Sequence, residues 1–221
     1  MKKLILLLAA GLLSTASYSQ KFEAGDCNLE MNFAPLGGAP ISINGIRARH
    51  FNSSTMAIRL GANLSLANQK NADGTTADGS INLFTNTSTF NFTLRPGIEK
   101  HFAGTERLSP YVGAELDFAI QSHKVETEYE GATNEVETNT VSGTNGYLRF
   151  GVNAVCGFDY YFAKKLYLGT EIGFGFGMTN FSDIETENTI SGFTAPDPQE
   201  QGSTMNFGPN FNGALRLGFC F

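Results

Sequence analysis

The 221-residue sequence has no tryptophan, only three histidines and only three cysteines. Cys27, Cys156 and Cys220 lie too far apart for a zinc motif. Charge is also sparse, at 16% of residues, and is predominantly acidic, with 15 Lys and Arg against 21 Asp and Glu. There is no basic stripe, which argues against a nucleic-acid partner. Long apolar runs are missing too. Beyond Leu13 no unbroken apolar stretch approaches the ~20 residues that a membrane-spanning helix needs, so a helical inner-membrane protein is excluded.

The N-terminus carries a targeting pattern. Lys2 and Lys3 precede an apolar run over residues 4–13, followed by a small-residue stretch over 14–19. Cleavage after Ser19 would put Ser17 and Ser19 at the two small-residue positions. We therefore expect a signal peptide at 1–19 and one domain at 20–221. No cysteine stands at the junction, so no lipid-modified N-terminus is expected. Removing Lys2 and Lys3 leaves 13 basic and 21 acidic residues, a net charge of −8.

What the chain does have is glycine (25), phenylalanine (19) and a repeated period-two pattern. Eight segments alternate: 26–35, 41–51, 55–67, 86–102, 110–128, 145–162, 166–180 and 204–221. In the third, Met56, Ile58, Leu60, Ala62, Leu64 and Leu66 alternate with Ala57, Arg59, Gly61, Asn63 and Ser65. No segment has a convincing helical period. The connections 52–54, 103–109 and 163–165 are short, whereas 68–85, 129–144 and 181–203 are long. Short turns on one side and long loops on the other is the arrangement of outer-membrane barrels, with the short side periplasmic. Aromatics gather at the short-turn ends. Phe51, Phe102, Tyr160, Phe162, Tyr167, Phe219 and Phe221 are expected to form an interfacial girdle there.

With that layout, and with the C-terminal stretch 212–221 ending Phe219-Cys220-Phe221, the chain resembles the small outer-membrane β-barrel superfamily. It is close in size to the OmpA transmembrane domain and OmpX-like barrels, and similar to the porin-like barrels of Bacteroidetes. The resemblance implies an all-β fold, an eight-stranded antiparallel transmembrane up-and-down β-barrel in the cell outer membrane of a Gram-negative envelope. It implies that Phe219 and Phe221 serve as the signal read by the barrel-insertion machinery, with Arg216 standing where glycine is frequent. The implied partners are outer-membrane lipid and that machinery.

Eight strands enclose a lumen just wide enough to be filled by side chains. Parity sends Glu30, Arg59, Arg95, Glu99, Glu115, Asp117, Arg149, Asp159, Glu171 and Arg216 inward, six acids and four arginines. Paired, such groups form a network of charge-assisted hydrogen bonds that plugs the lumen. The competing reading is a narrow ion path through the same charges. Gly169, Gly173, Gly175 and Gly177 would make room for long side chains from elsewhere on the wall.

The acidity belongs to the outer loops. Residues 124–144 carry a net −4 and residues 181–203 a net −5. A hairpin turning at residues 131–134 would set Glu130 opposite Glu135 and Glu128 opposite Glu137, with Glu126 nearby. Such repulsion would be relieved by Ca²⁺, whose preferred ligands are carboxylate oxygens. No other cofactor is indicated. Cys27 and Cys220 lie on strands that closure makes neighbours, but parity points them to opposite faces; a bulge would be needed to join them. Cys156 is expected to face lipid.

His50 and His101 map near the periplasmic rim. Ser122 and His123 are adjacent in a strand and so point to opposite faces, which argues against a nucleophile–base pair there. The expectation is a non-enzymatic barrel whose outer loops contact envelope polysaccharide or a protein partner. A transport pore is the alternative, and a lipid-modifying enzyme the third reading.

Overall fold

The computed structural model describes residues 21–33, 43–75, 81–131, 136–189, 192, 194–210 and 215–221. The expected signal peptide and the first outer loop at 36–40 lie outside these residues.

Apolar–polar alternation generates eleven strands. They are β1 (Cys27–Phe33), β2 (Ile43–Phe51), β3 (Met56–Thr75), β4 (Ile81–His101), β5 (Leu108–Gly131), β6 (Val136–Ser142), β7 (Tyr147–Ala163), β8 (Leu166–Phe181), β9 (Glu185–Asn188), β10 (Ser203–Asn210) and β11 (Leu215–Cys220). All pairings between these strands are antiparallel. β10 and β11 lie end to end along one flank of β8 and together make the eighth stave. β11 then pairs with β1, Asn28 opposite Cys220 and Phe33 opposite Leu215, and the ring closes with eight staves. The termini meet at the short-turn end, where Cys27 and Phe221 exchange backbone hydrogen bonds of 3.1 and 2.9 Å.

The wall is apolar outside and polar inside. On β3, Ile58 and Leu60 face outward while Ala57 and Arg59 are buried. On β5, Val112, Leu116, Phe118 and Ile120 face outward, while Tyr111, Glu115 and Asp117 are buried. Cys156 is exposed on the outer face, beside Val152 and Phe158. Cys27 and Cys220 are both free thiols, with Cys220 buried inside the barrel.

Two expectations are corrected. The first concerns the long outer connections, which are largely strand. β3, β4 and β5 run 20, 21 and 24 residues, about twice the 9–11 that cross a bilayer. Their outer halves continue as a sheet extended by β6 and β9. The hydrophobic alternation stops at the membrane boundary, since both faces there meet water, but the backbone ladder continues. At its inner end β5 pairs with β7, and beyond Gln121 it exchanges that partner for β6.

The second concerns the aromatics. Phe102, Tyr160, Phe219 and Phe221 are exposed on the outer face and Phe162 is half-buried, but Phe51 and Tyr167 are fully buried inside. Parity decides this: Phe51 follows Arg49, and Tyr167 precedes Glu171, on inward-facing positions. With Phe22, Ala57, Tyr161 and Cys220 they form a plug at the short-turn end. Phe22 stacks on Phe51 with ring centroids 3.7 Å apart.

Glycine makes the plug possible at Gly218, directly opposite Tyr167. A Cβ there would collide with the Tyr167 ring, which is itself fixed by hydrogen bonds. At Gly177 a Cβ would meet open space. Gly218→Ala is expected to destabilise the barrel by about 1–3 kcal/mol through overpacking, and Gly177→Ala to change stability by less than about 0.5 kcal/mol. Urea unfolding of the two variants in detergent micelles checks the contrast.

Candidate functional site: a charged lumen

All ten charged residues expected inside are inside. Glu30, Arg59, Glu99, Glu115, Asp117, Asp159, Glu171 and Arg216 are buried, while Arg95 and Arg149 are about one-third exposed. The sequence reading missed Arg47 and Arg49 on β2, which are 5% and 2% exposed. They alternate with Ile46, Ala48 and His50, and only the first of these is strongly apolar, so the period was faint. Their inclusion matches six guanidiniums to six carboxylates.

The side chains interlock across strands. Arg49 reaches Glu30 at 2.5 Å, Asp159 at 2.8 Å and Glu99 at 2.9 Å. Arg59 lies 2.5 Å from Glu115, 2.7 Å from Glu171 and 2.8 Å from Glu99. Arg47 grips Glu171 with two donors, at 3.0 and 3.2 Å. Arg216 spans Glu30 and Asp159, both at 3.2 Å. Tyrosine hydroxyls fill remaining acceptor positions: Tyr111 donates to Glu171 at 2.6 Å and Tyr167 to Glu30 at 2.7 Å. Gly169 lies under the Arg216 guanidinium, as a space-making glycine should.

Toward the short-turn end the network meets the aromatic plug through His101. This histidine is 2% exposed, not at the surface of the rim. Its Nδ1 lies 2.9 Å from Ser109 Oγ and its Nε2 3.2 Å from Glu99 Oε2. The connectivity is that of nucleophile, base and acid. Yet Ser109 is 1% exposed, Glu99 is already held by two arginines, and Phe22 packs edge-on to the His101 ring at 4.6 Å. The arrangement ties plug to network. His123, half-buried farther out along β5, is engaged by Thr89 at 3.0 Å.

The outer glutamates are arranged differently from expectation. The β5–β6 register sets Glu130 opposite Val136, Glu128 opposite Thr138 and Tyr129 opposite Glu137. This is a slip of one residue from the register that opposed glutamates, and a one-residue slip changes every cross-strand partner. Glu126 instead pairs with Lys124 at 2.6 Å, and Glu128 with Lys70 at 2.8 Å. The Lys124 ammonium beside Glu126 holds its carboxyl below the usual carboxylate range. Glu135 lies outside the described residues. Among the described residues, no cluster of three or more His, Cys, Asp or Glu is placed to hold a metal ion.

In the outer half of the lumen, above the arginine network, lies a cavity of about 450 Å³. Arg95, Asp117 and Arg149 line it together with Gly151, Gly175 and Gly177.

A closed eight-stave barrel with an apolar exterior and an ion-paired interior is an outer-membrane β-barrel. The model of the OmpA-OmpF-like porin family matches residues 38–184, about two-thirds of the chain, and the protein belongs to that family. Among solved structures it is similar to Ail, the attachment invasion locus protein of Yersinia pestis, at 9% identity and a TM-score of 0.34, over 90% of this chain and 99% of that one. No curated protein matches the chain.

Removing one partner of a buried ion pair leaves charge unpaired where water does not reach. Arg59→Ala, which strands Glu115 and takes one of two arginines from each of Glu99 and Glu171, is expected to cost about 3–5 kcal/mol. Arg95→Ala removes a partly exposed guanidinium and leaves Asp117 paired with Arg149, and is expected to cost under about 1 kcal/mol. Urea midpoints measured side by side give the ranking; equal losses would contradict it.

Proposed function

We propose that the protein is a non-enzymatic outer-membrane protein, exported by the N-terminal signal, whose barrel anchors an outward-facing β-sheet for contact with envelope polysaccharide or another protein. The observation that carries this reading is the double closure of the lumen. The ion-pair network spans it from strand to strand, with Glu30, Arg49, Arg59 and Glu99 no more than 1% exposed among their side chains. Beneath it lies the plug of Phe22, Phe51, Tyr161 and Tyr167. Side chains that fill an eight-strand barrel leave no column of water.

The material available for contact sits outside. β3, β4 and β5 project well past the bilayer and β6 and β9 widen the sheet. Support for a non-enzymatic role comes from the sealing of Ser109 and His101 and from the engagement of His123 with Thr89. A Ca²⁺ ion on the outer glutamates has less to recommend it once Glu126 and Glu128 have lysine partners. The porin-like reading rests on the family match, and it requires the network to part.

Recording from the refolded protein in planar bilayers separates the two. The expected trace shows no steady conductance at modest voltage. A large, long-lived open state would overturn the anchor reading and favour the pore.

A further inference from the structure

The outer cavity is not part of the plug. It opens where the large side chains stop, two residues along β5 from Glu115 to Asp117. Among its lining residues Asp117 holds two guanidiniums, Arg95 through Nε at 3.2 Å and Arg149 through Nη2 at 3.0 Å. Two positive charges share one negative charge here, a local +1 that only the surplus carboxylate of the inner network offsets. Both arginine side chains are about one-third exposed, unlike those of the plug. Arg149 Nε is buried and has no hydrogen-bond partner among the described residues.

Three glycines also line the cavity. Neighbouring atoms already fill the space beside Gly151 and Gly175, but a Cβ at Gly177 would have nothing within 4 Å. Asn153, Thr179 and Asn206 supply neutral polar groups around it. A lumen filled only for structural reasons would place bulk at Gly177.

We propose that this cavity is a binding site for a small hydroxylated carboxylate, of the chemical class of an acidic monosaccharide. A planar carboxylate matches the fork of a guanidinium and would answer the local positive charge of the Arg95–Asp117–Arg149 group. Hydroxyl groups would find partners in Asn153, Thr179 and Asn206. The volume of about 450 Å³ lies within the range of about 300–1,000 Å³ typical of small-molecule sites. The open space at Gly177 gives a ring room to lie against the backbone. The site does not depend on whether the lumen conducts, since it lies outside the network that would gate passage.

Calorimetric titration of the folded barrel in detergent micelles tests this, with glucuronate as the acidic probe and glucose as its neutral counterpart. Glucuronate is expected to bind saturably, and glucose at least about tenfold more weakly, as loss of a charge-assisted contact requires. Two variants locate the site. Arg149→Gln removes one positive charge, and Gly177→Val intrudes on the cavity while leaving both arginines in place. Each is expected to weaken glucuronate at least about tenfold, with far-UV circular dichroism of the barrel unchanged. Absence of saturable glucuronate binding, equal binding of glucose, or undiminished binding in either folded variant would overturn the proposal.

Discussion

A guanidinium that points into an eight-strand barrel leaves water behind, and in an apolar surrounding an isolated ion is very costly. The only inexpensive solution is a carboxylate within reach, held by a second cation, held in turn by another carboxylate. That condition governs the interior of this protein. Arg49 is shared by Glu30, Asp159 and Glu99, which come from β1, β7 and β4. Arg59 on β3 answers acids from β4, β5 and β8. Staves that are not neighbours in the wall are joined through the middle. The same condition fixes register, because a slip by one residue would turn these charges toward lipid. It also requires the inward glycines and small residues, without which the long side chains could not meet.

The interior was largely legible in the sequence because parity is a strict rule and charge is a clear marker. Glu30, Arg59 and Glu171 needed only an inward phase to be placed. Arg47 and Arg49 escaped because β2 is short and its outer face includes Ala48 and His50, but the inventory left a trace. Six acids against four arginines is an imbalance that a sealed lumen does not tolerate, and the two missing cations were one strand away. For Phe51 and Tyr167, phase along the strand overrides the enrichment of aromatics at strand ends. Both sit on inward-facing positions.

The outer region was poorly legible for a different reason. Hydrophobic periodicity reports the contrast between two environments. Beyond the bilayer that contrast is gone, and residues such as 68–75 on β3 form a ladder with β4 without any apolar rhythm. The register of the β5–β6 hairpin depends on how many residues its turn takes, and one residue decided whether glutamates faced each other. The outer cavity was invisible for a third reason: it is defined by side chains that are absent. Gly177 looked like one more space-making glycine in the series with Gly169, yet only the latter has a guanidinium above it.

The exchange of partners along β5 also has a mechanical consequence. A pull on the outer sheet, directed away from the membrane, acts along the axes of β3, β4 and β5. Their ladders are then loaded in shear, and many hydrogen bonds share the force together. β6 and β9 join the sheet through short ladders of seven and four residue pairs, so the same pull opens them with fewer bonds sharing the load. The short arms would yield first and act as a compliant outer layer. The wall, pinned through its centre by ion pairs, would stay closed under tension.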